Sequence, residues 1–147
     1  MGRYRIDEEI VADAPPAAVW ALLADVMTWS TWGPWESTGR NRDGSPTADG
    51  VGAVRVLKRG RVTSIEEVSA FEPPFKFGYR LLSGMPVRDY EAEVTLVGEG
   101  DGTRIRWRSE FDGRWPLVGL VLRPALARFL RDVLRRLAAA AARETIA

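Results

Sequence analysis

The chain alternates apolar and polar residues along most of its length, and two segments replace this alternation with a helical period. Alternation with a period of two is typical of strands, whereas apolar residues spaced three and four apart indicate a helix. Proline, glycine and aspartate clusters separate the segments. The predicted elements are, in order, a strand over residues 3–11, a short helix over 17–25 with a further turn to 29, strands over 36–42, 51–57, 62–68, 75–81, 87–97 and 103–111, and a long helix over 116–142.

The two strands before the last helix have the clearest faces. Their apolar faces consist of Tyr90, Ala92, Val94 and Leu96 on the first strand and Ile105, Trp107, Ser109 and Phe111 on the second. The opposite faces are acidic on the first strand and basic on the second, so we expect ion pairs between them on the solvent side. In the final helix, Pro124 removes a backbone donor, which predicts either a kink or a separate short helix before it.

Composition points to one folded domain spanning residues 1–147. Hydrophobic residues make up 46% of the chain, and the formal net charge of +1 gives no general attraction to nucleic acid. Cysteine and histidine are both absent, which excludes disulfides, thiolate nucleophiles, imidazole bases and the usual zinc ligands. We therefore expect neither a metal nor a cofactor.

The amino terminus carries no apolar leader, and no run of about 20 apolar residues occurs, which predicts a cytoplasmic protein.

Four short segments occur in an order that is typical of one superfamily. They are residues 14–20 with an Ala-Pro-Pro helix entry, 29–32 with Trp-Ser-Thr-Trp, 71–74 with Phe-Glu-Pro-Pro, and 102–107 in the last hairpin. With the order of elements, they resemble the helix-grip proteins, which include START lipid-transfer domains, birch-pollen-allergen-like proteins and polyketide cyclase/dehydrase proteins. The resemblance covers nearly the whole chain. It implies an α+β fold in which about six to seven antiparallel strands curve around the C-terminal helix, with two short helices after the first strand and a ligand cavity between sheet and helix.

Inward-facing residues of this fold form the candidate ligand site. Aromatic rings, small residues and a few hydroxyls share these faces, a mixture typical of a small-molecule pocket. The candidates are Trp32, Phe77, Tyr79, Tyr90, Ala92, Val94, Trp107, Ser109, Phe111, Phe129 and Val133. The alternative is that these side chains simply fill the core. Glu66 and Glu67 are consecutive on a strand, so one of them faces inward as a polar pocket group, and the sequence leaves open which one.

Three functions are compatible with this pattern. The first is binding or transport of a small hydrophobic ligand such as a lipid or polyketide, which the lack of strong catalytic residues favours. The second is a polyketide cyclase or dehydratase without a metal, in which Tyr79, Tyr90 or an inward glutamate moves protons. The third is a protein-interaction module that uses the basic C-terminal helix or residues 117–120. Membrane contact of that helix is a lesser expectation, because most basic helix faces are only solvated, and the sequence fits a monomer or a homodimer.

Overall fold

One sheet of seven antiparallel strands forms the main layer of the described part of the chain, as predicted. The computed structural model describes residues 3–115 and 117–146. The strands are β1 (Tyr4–Ala12), β2 (Ser37–Arg42), β3 (Val54–Arg59), β4 (Val62–Glu72), β5 (Lys76–Ser83), β6 (Val87–Glu99) and β7 (Gly102–Gly113). Their spatial order is β1-β7-β6-β5-β4-β3-β2, so every neighbouring pair except β1 and β7 is also consecutive in the sequence.

Two short helices and one long helix complete the fold of these residues. They are α1 (Pro16–Ala24), α2 (Val26–Trp32) and α3 (Val118–Ile146). Pro16 begins α1, where a backbone N–H would have no partner within the helix. Asp25 then ends α1 and caps α2, because its carboxylate accepts a hydrogen bond from the backbone N–H of Met27 at 3.0 Å. The turn that was predicted to reach Trp29 is therefore a helix of its own.

The inner face of the sheet and one side of α3 form the hydrophobic core. The predicted faces of β6 and β7 are confirmed, since alternate residues from Tyr90 to Leu96 and from Ile105 to Phe111 are buried. The buried positions of α3 recur every three or four residues and include Leu126, Leu130, Val133, Leu134 and Leu137. Any space left between the two layers is therefore bounded by the sheet on one side and by the helix on the other.

Ion pairs cover the outer face of the sheet, as the charged strand faces predicted. Arg108 of β7 contacts Glu93 of β6 at 3.0 Å. Glu67 of β4 contacts Arg42 of β2 at 2.7 Å and Arg80 of β5 at 2.6 Å. Exposed pairs of this kind contribute little stability each, but they neutralise the charges of this face.

The last helix is continuous, so of the two alternatives for Pro124 the separate short helix is wrong, and the kink stays a prediction. Pro124 lies in the second turn of α3 and has no backbone N–H that could donate to the carbonyl of Leu120. Both residues are exposed, so this carbonyl stays close to water. Residue 116, where the helix was predicted to begin, lies outside the described residues. Within the described ranges, no helix is long and apolar enough to cross a membrane.

The hairpin between β3 and β4 also differs from the prediction. β3 begins at Val54 rather than at residue 51. Arg59 pairs with Val62, so the turn consists of residues 60–61 only, whereas the predicted strands leave residues 58–61 between them. This difference matters because the position of the turn determines which residues of the two strands face each other.

Candidate ligand-binding site

A cavity of about 360 Å³ lies between the inner face of the sheet and α3. Its volume is near the lower end of the range of roughly 300–1,000 Å³ for ligand pockets. The buried part of its wall consists of Trp29, Leu57, Glu66, Tyr79, Tyr90 and Trp107 together with Leu126, Leu130 and Val133 of α3. The lining residues that are exposed define the mouth, and they are Arg59, Val62, Gly84, Pro86 and Ala125.

A buried ion pair between Arg55 and Glu66 forms the polar end of the cavity. Nη2 of Arg55 donates to Oε1 of Glu66 at 2.6 Å, and the two side chains are 1% and 11% exposed. Glu66 lines the cavity, whereas Arg55 lies behind it. Oε2 of Glu66 has no hydrogen-bond partner among the described residues, so this oxygen is available to a molecule in the cavity.

The β3–β4 hairpin places these two side chains opposite each other. Because Arg59 pairs with Val62 across the turn, the same register pairs Arg55 with Glu66. Directly opposite residues project from the same face of a sheet. Leu57, two residues after Arg55, is also buried, so this face of β3 is the inner one.

Three aromatic rings cover the guanidinium group of Arg55. Its Cζ atom lies 4.1 Å from the ring centroid of Trp29, 4.9 Å from that of Phe77 and 5.6 Å from that of Tyr79. Aromatic faces attract a cation that has lost its water. Nε and Nη1 of Arg55 are buried without hydrogen-bond partners, so the rings and Glu66 together stabilise its charge.

The two consecutive glutamates have opposite environments, and Glu66 is the one that faces the cavity. Burial raises the pKa of the Glu66 carboxyl, while the charge and the hydrogen bond of Arg55 act against this rise. Glu67 lies on the outer face, where the hydrogen bond from Arg80 lowers its pKa. A carboxyl group whose pKa is raised binds a proton more readily than an ordinary glutamate does, which suits a role in proton transfer.

Tyr79 and Tyr90 also line the cavity, and their hydroxyl groups have polar partners. Nε1 of Trp107 donates to the hydroxyl of Tyr79 at 3.3 Å, and the hydroxyls of Tyr90 and Ser109 lie 3.0 Å apart. Burial raises the pKa of Tyr79 well above its usual value and raises the pKa of Tyr90 to about 12. Both hydroxyls therefore stay protonated at neutral pH and serve as hydrogen-bonding groups rather than as bases.

The cavity brings together only part of the predicted site. Its lining includes Glu66, Tyr79, Tyr90, Trp107, Phe129 and Val133. The other predicted residues are not in the lining, namely Trp32, Phe77, Ala92, Val94, Ser109, Phe111 and Glu67. Phe77 and Phe111 are fully buried against other rings, and the Ser109 hydroxyl is engaged by Tyr90, so these residues support the wall from behind. Ligand contact at the lining residues remains a prediction.

Sequence reasoning missed Arg55, and of the tryptophan cluster it named only Trp32 as a ligand contact. Trp29 and Trp35 line the cavity, whereas Trp32 packs on both of them with ring centroids 5.4 Å and 6.0 Å away. A signal for Arg55 was present, because it is a single arginine in the otherwise apolar segment 51–57. A two-residue turn would have placed it opposite Glu66.

A curved antiparallel sheet that closes on a long C-terminal helix, with a cavity between them, defines the molecule as a helix-grip domain. A family model described as "Polyketide cyclase / dehydrase and lipid transport" matches residues 3–142, so the chain belongs to this family. Members of the family typically bind small hydrophobic ligands. None of the curated proteins compared with the chain matches it.

Solved structures with the same fold match nearly the whole chain. The Zhui aromatase/cyclase from Streptomyces sp. R1128 has a TM-score of 0.83 at 19% identity, with 98% of this chain and 96% of that chain covered. A START superfamily protein from Mycobacterium smegmatis has a TM-score of 0.73 at 15% identity, with 97% of each chain covered. The protein XoxI from Bacillus cereus has a TM-score of 0.73 at 19% identity, with 95% of each chain covered. At these identities the likeness concerns the fold alone.

Proposed function

We propose that the protein binds a small, uncharged hydrophobic ligand in the cavity between the sheet and α3. The observation that carries this proposal is an aromatic and apolar cavity with one unpaired carboxylate oxygen, Oε2 of Glu66, in its wall. The charge of Glu66 is already matched by Arg55. An ionised ligand would therefore lose its hydration without gaining a counter-charge, which disfavours its entry.

The polar groups of the cavity suggest how the ligand lies. A ligand hydroxyl can donate to Oε2 of Glu66, and a ligand carbonyl can accept from Tyr79 or Tyr90. The apolar part then lies along Leu126 and Leu130 of α3. A lipid or a polyketide-derived compound with one polar end meets these requirements. A cytoplasmic location and a monomeric or homodimeric state remain predictions from the sequence.

Ligand binding can be tested by obstructing the mouth of the cavity from α3. The variant Ala125→Trp places a large ring at the exposed rim, and Ala139→Trp makes the same change at an exposed position of α3 outside the lining. We expect saturable binding of the neutral dye Nile red, measured by fluorescence titration, to weaken at least about tenfold in Ala125→Trp only. The absence of saturable binding to the wild type, or an equal loss in both variants, would contradict the proposal.

A second candidate function is proton transfer in the cyclisation or dehydration of a polyketide-like substrate. Glu66 favours it, because this carboxyl faces the cavity with a raised pKa while Arg55 holds its other oxygen. A solved structure of similar fold is named an aromatase/cyclase, which supports the idea by analogy only. If Glu66 moves the proton, Glu66→Gln abolishes conversion of a linear poly-β-keto thioester, followed by absorbance of an aromatic product, and retains binding. Unchanged conversion in this variant would exclude the role.

A further inference from the structure

Exposed apolar side chains lie beside the mouth of the cavity, where the chain passes from β7 into α3. We call this group the apolar patch, and it consists of Trp115 (57% exposed), Leu117 (69%), Leu120 (63%) and Val121 (74%). The backbone N–H of Arg114 donates to the carbonyl of Pro86 at 3.2 Å, which fixes the segment to the rim. Large apolar groups exposed together in this way mark an interaction surface.

The backbone at the start of α3 keeps the apolar patch directed outward. Leu117 has a φ of +71°, in the left-handed region that non-glycine residues adopt at a cost. Burial of its side chain does not compensate this cost, because the side chain is largely exposed. Gly119 is buried against the ring of Tyr4, which a Cβ atom at this position would overlap. The close approach fixes the first turn of α3 with Leu120 on its exposed side.

Basic side chains without a carboxylate partner gather at the same end of the molecule. The arginines of β7 each contact a carboxylate. In the part of the chain that the structure describes, no carboxylate pairs with the arginines of the mouth and its surroundings, which are Arg59, Arg61, Arg114 and Arg128. Among the described residues, the exposed acidic side chains of this region that form no ion pair are Glu36 and Asp89. The cations outnumber them, so this end attracts anionic partners.

We propose that this face docks on an anionic lipid bilayer, so that the mouth of the cavity opens towards the membrane. Tryptophan and aliphatic side chains suit the interfacial layer of a bilayer, and arginines pair with lipid phosphates. A bilayer fits better than a protein partner because a hydrophobic ligand then leaves the cavity for the acyl chains without crossing water. The choice of a bilayer rests on the proposed function, whereas docking itself is measured without any ligand.

The apolar contribution is tested by co-sedimentation with vesicles of phosphatidylcholine and phosphatidylserine, using pure phosphatidylcholine for comparison. The double variant Leu120→Glu/Val121→Glu is expected to bind at least about tenfold more weakly than the wild type. Phe75→Glu is the matched control, because Phe75 is 57% exposed in the turn at the other end of β5. This control is expected to sediment like the wild type.

The basic contribution is tested with single arginine variants in the same assay. Arg114→Gln and Arg128→Gln are each expected to weaken binding to the anionic vesicles about fivefold, and added salt should weaken it further. Arg143→Gln, at the far end of α3, is expected to change little. Unchanged circular dichroism and Nile red binding show that the variants remain folded. A wild type that stays in the supernatant, or that self-associates instead, would overturn the proposal, as would equal losses in the control variants.

Discussion

Removing Arg55 alone is expected to destabilise the protein far more than removing Arg55 and Glu66 together. In Arg55→Met the carboxylate of Glu66 stays buried, with 11% of its side chain exposed and no counter-charge. Removing one partner of a buried pair typically costs about 3–5 kcal/mol of the free energy of unfolding. The methionine also loses the cation–π contacts with Trp29, Phe77 and Tyr79. Glu66→Leu should cost a similar amount, because it leaves the Arg55 cation uncompensated.

The double variant Arg55→Met/Glu66→Leu is expected to lose less than about 2 kcal/mol. Apolar residues of similar volume often replace a buried ion pair with little loss, since both desolvation penalties disappear. Two buried nitrogen atoms of Arg55 that lack hydrogen-bond partners, Nε and Nη1, disappear with it, which removes a further cost. The coupling energy, which is the difference between the loss in the double variant and the sum of the two single losses, should therefore be at least about 4 kcal/mol.

Urea unfolding of the four proteins, followed by circular dichroism and extrapolated linearly to water, gives this coupling energy. The pair Asp132 and Arg136 on α3 is the matched control, because its side chains are 35% and 47% exposed. Its coupling energy should stay below about 1 kcal/mol. If the losses of Arg55→Met and Glu66→Leu simply add in the double variant, the two residues do not act as a buried pair, and the reasoning about the polar end of the cavity fails.

Two further predictions concern packing and pH. Gly119→Ala should lower the free energy of unfolding by about 1–3 kcal/mol in urea titrations, because the added methyl group overlaps the ring of Tyr4, whereas Gly39→Ala meets open space and should change it much less. Hydrogen bonds from arginines lower the pKa of three carboxyls, those of Asp7, Glu67 and Asp132. On acidification the unfolded chain therefore binds more protons than the folded protein does. The contribution of these three carboxyls to the free energy of unfolding is complete above their usual pKa values of 3.8 and 4.5, and it is lost as the pH falls through their pKa values in the folded protein. The urea midpoint is measured in the variant Glu66→Gln, because the raised pKa of Glu66 has the opposite effect on stability. A midpoint that stays constant or rises on acidification would contradict the prediction for pH.

The sheet could be predicted from the sequence because its strands have one wet face. Alternation in β6 and β7 separates buried side chains such as Val94 and Trp107 from charged ones such as Arg108. The end of α2 and the continuity of α3 through Pro124 were not predictable in the same way. They depend on how a helix packs and how its carbonyls are hydrated, and local propensity does not determine either.

The candidate site was predictable only in part, because a cavity is the space that packing leaves unfilled. Phe77 and Tyr79 both face inward on β5, yet only Tyr79 lines the cavity, while Phe77 packs against Trp20 and Trp29. Which inward residue reaches the cavity depends on where the helices lie. Arg55 was missed for another reason, since a buried arginine is rare and its partner Glu66 follows only from a turn of known length.

The presence of a ligand in the cavity is tested most directly by native mass spectrometry of the protein as purified, followed by denaturing extraction of any bound compound. We expect a retained neutral compound in the wild type and in Ala139→Trp, and its loss in Ala125→Trp. A wild type that carries the mass of the bare chain, and that also fails to bind Nile red saturably, would contradict the assignment of this cavity as a ligand site.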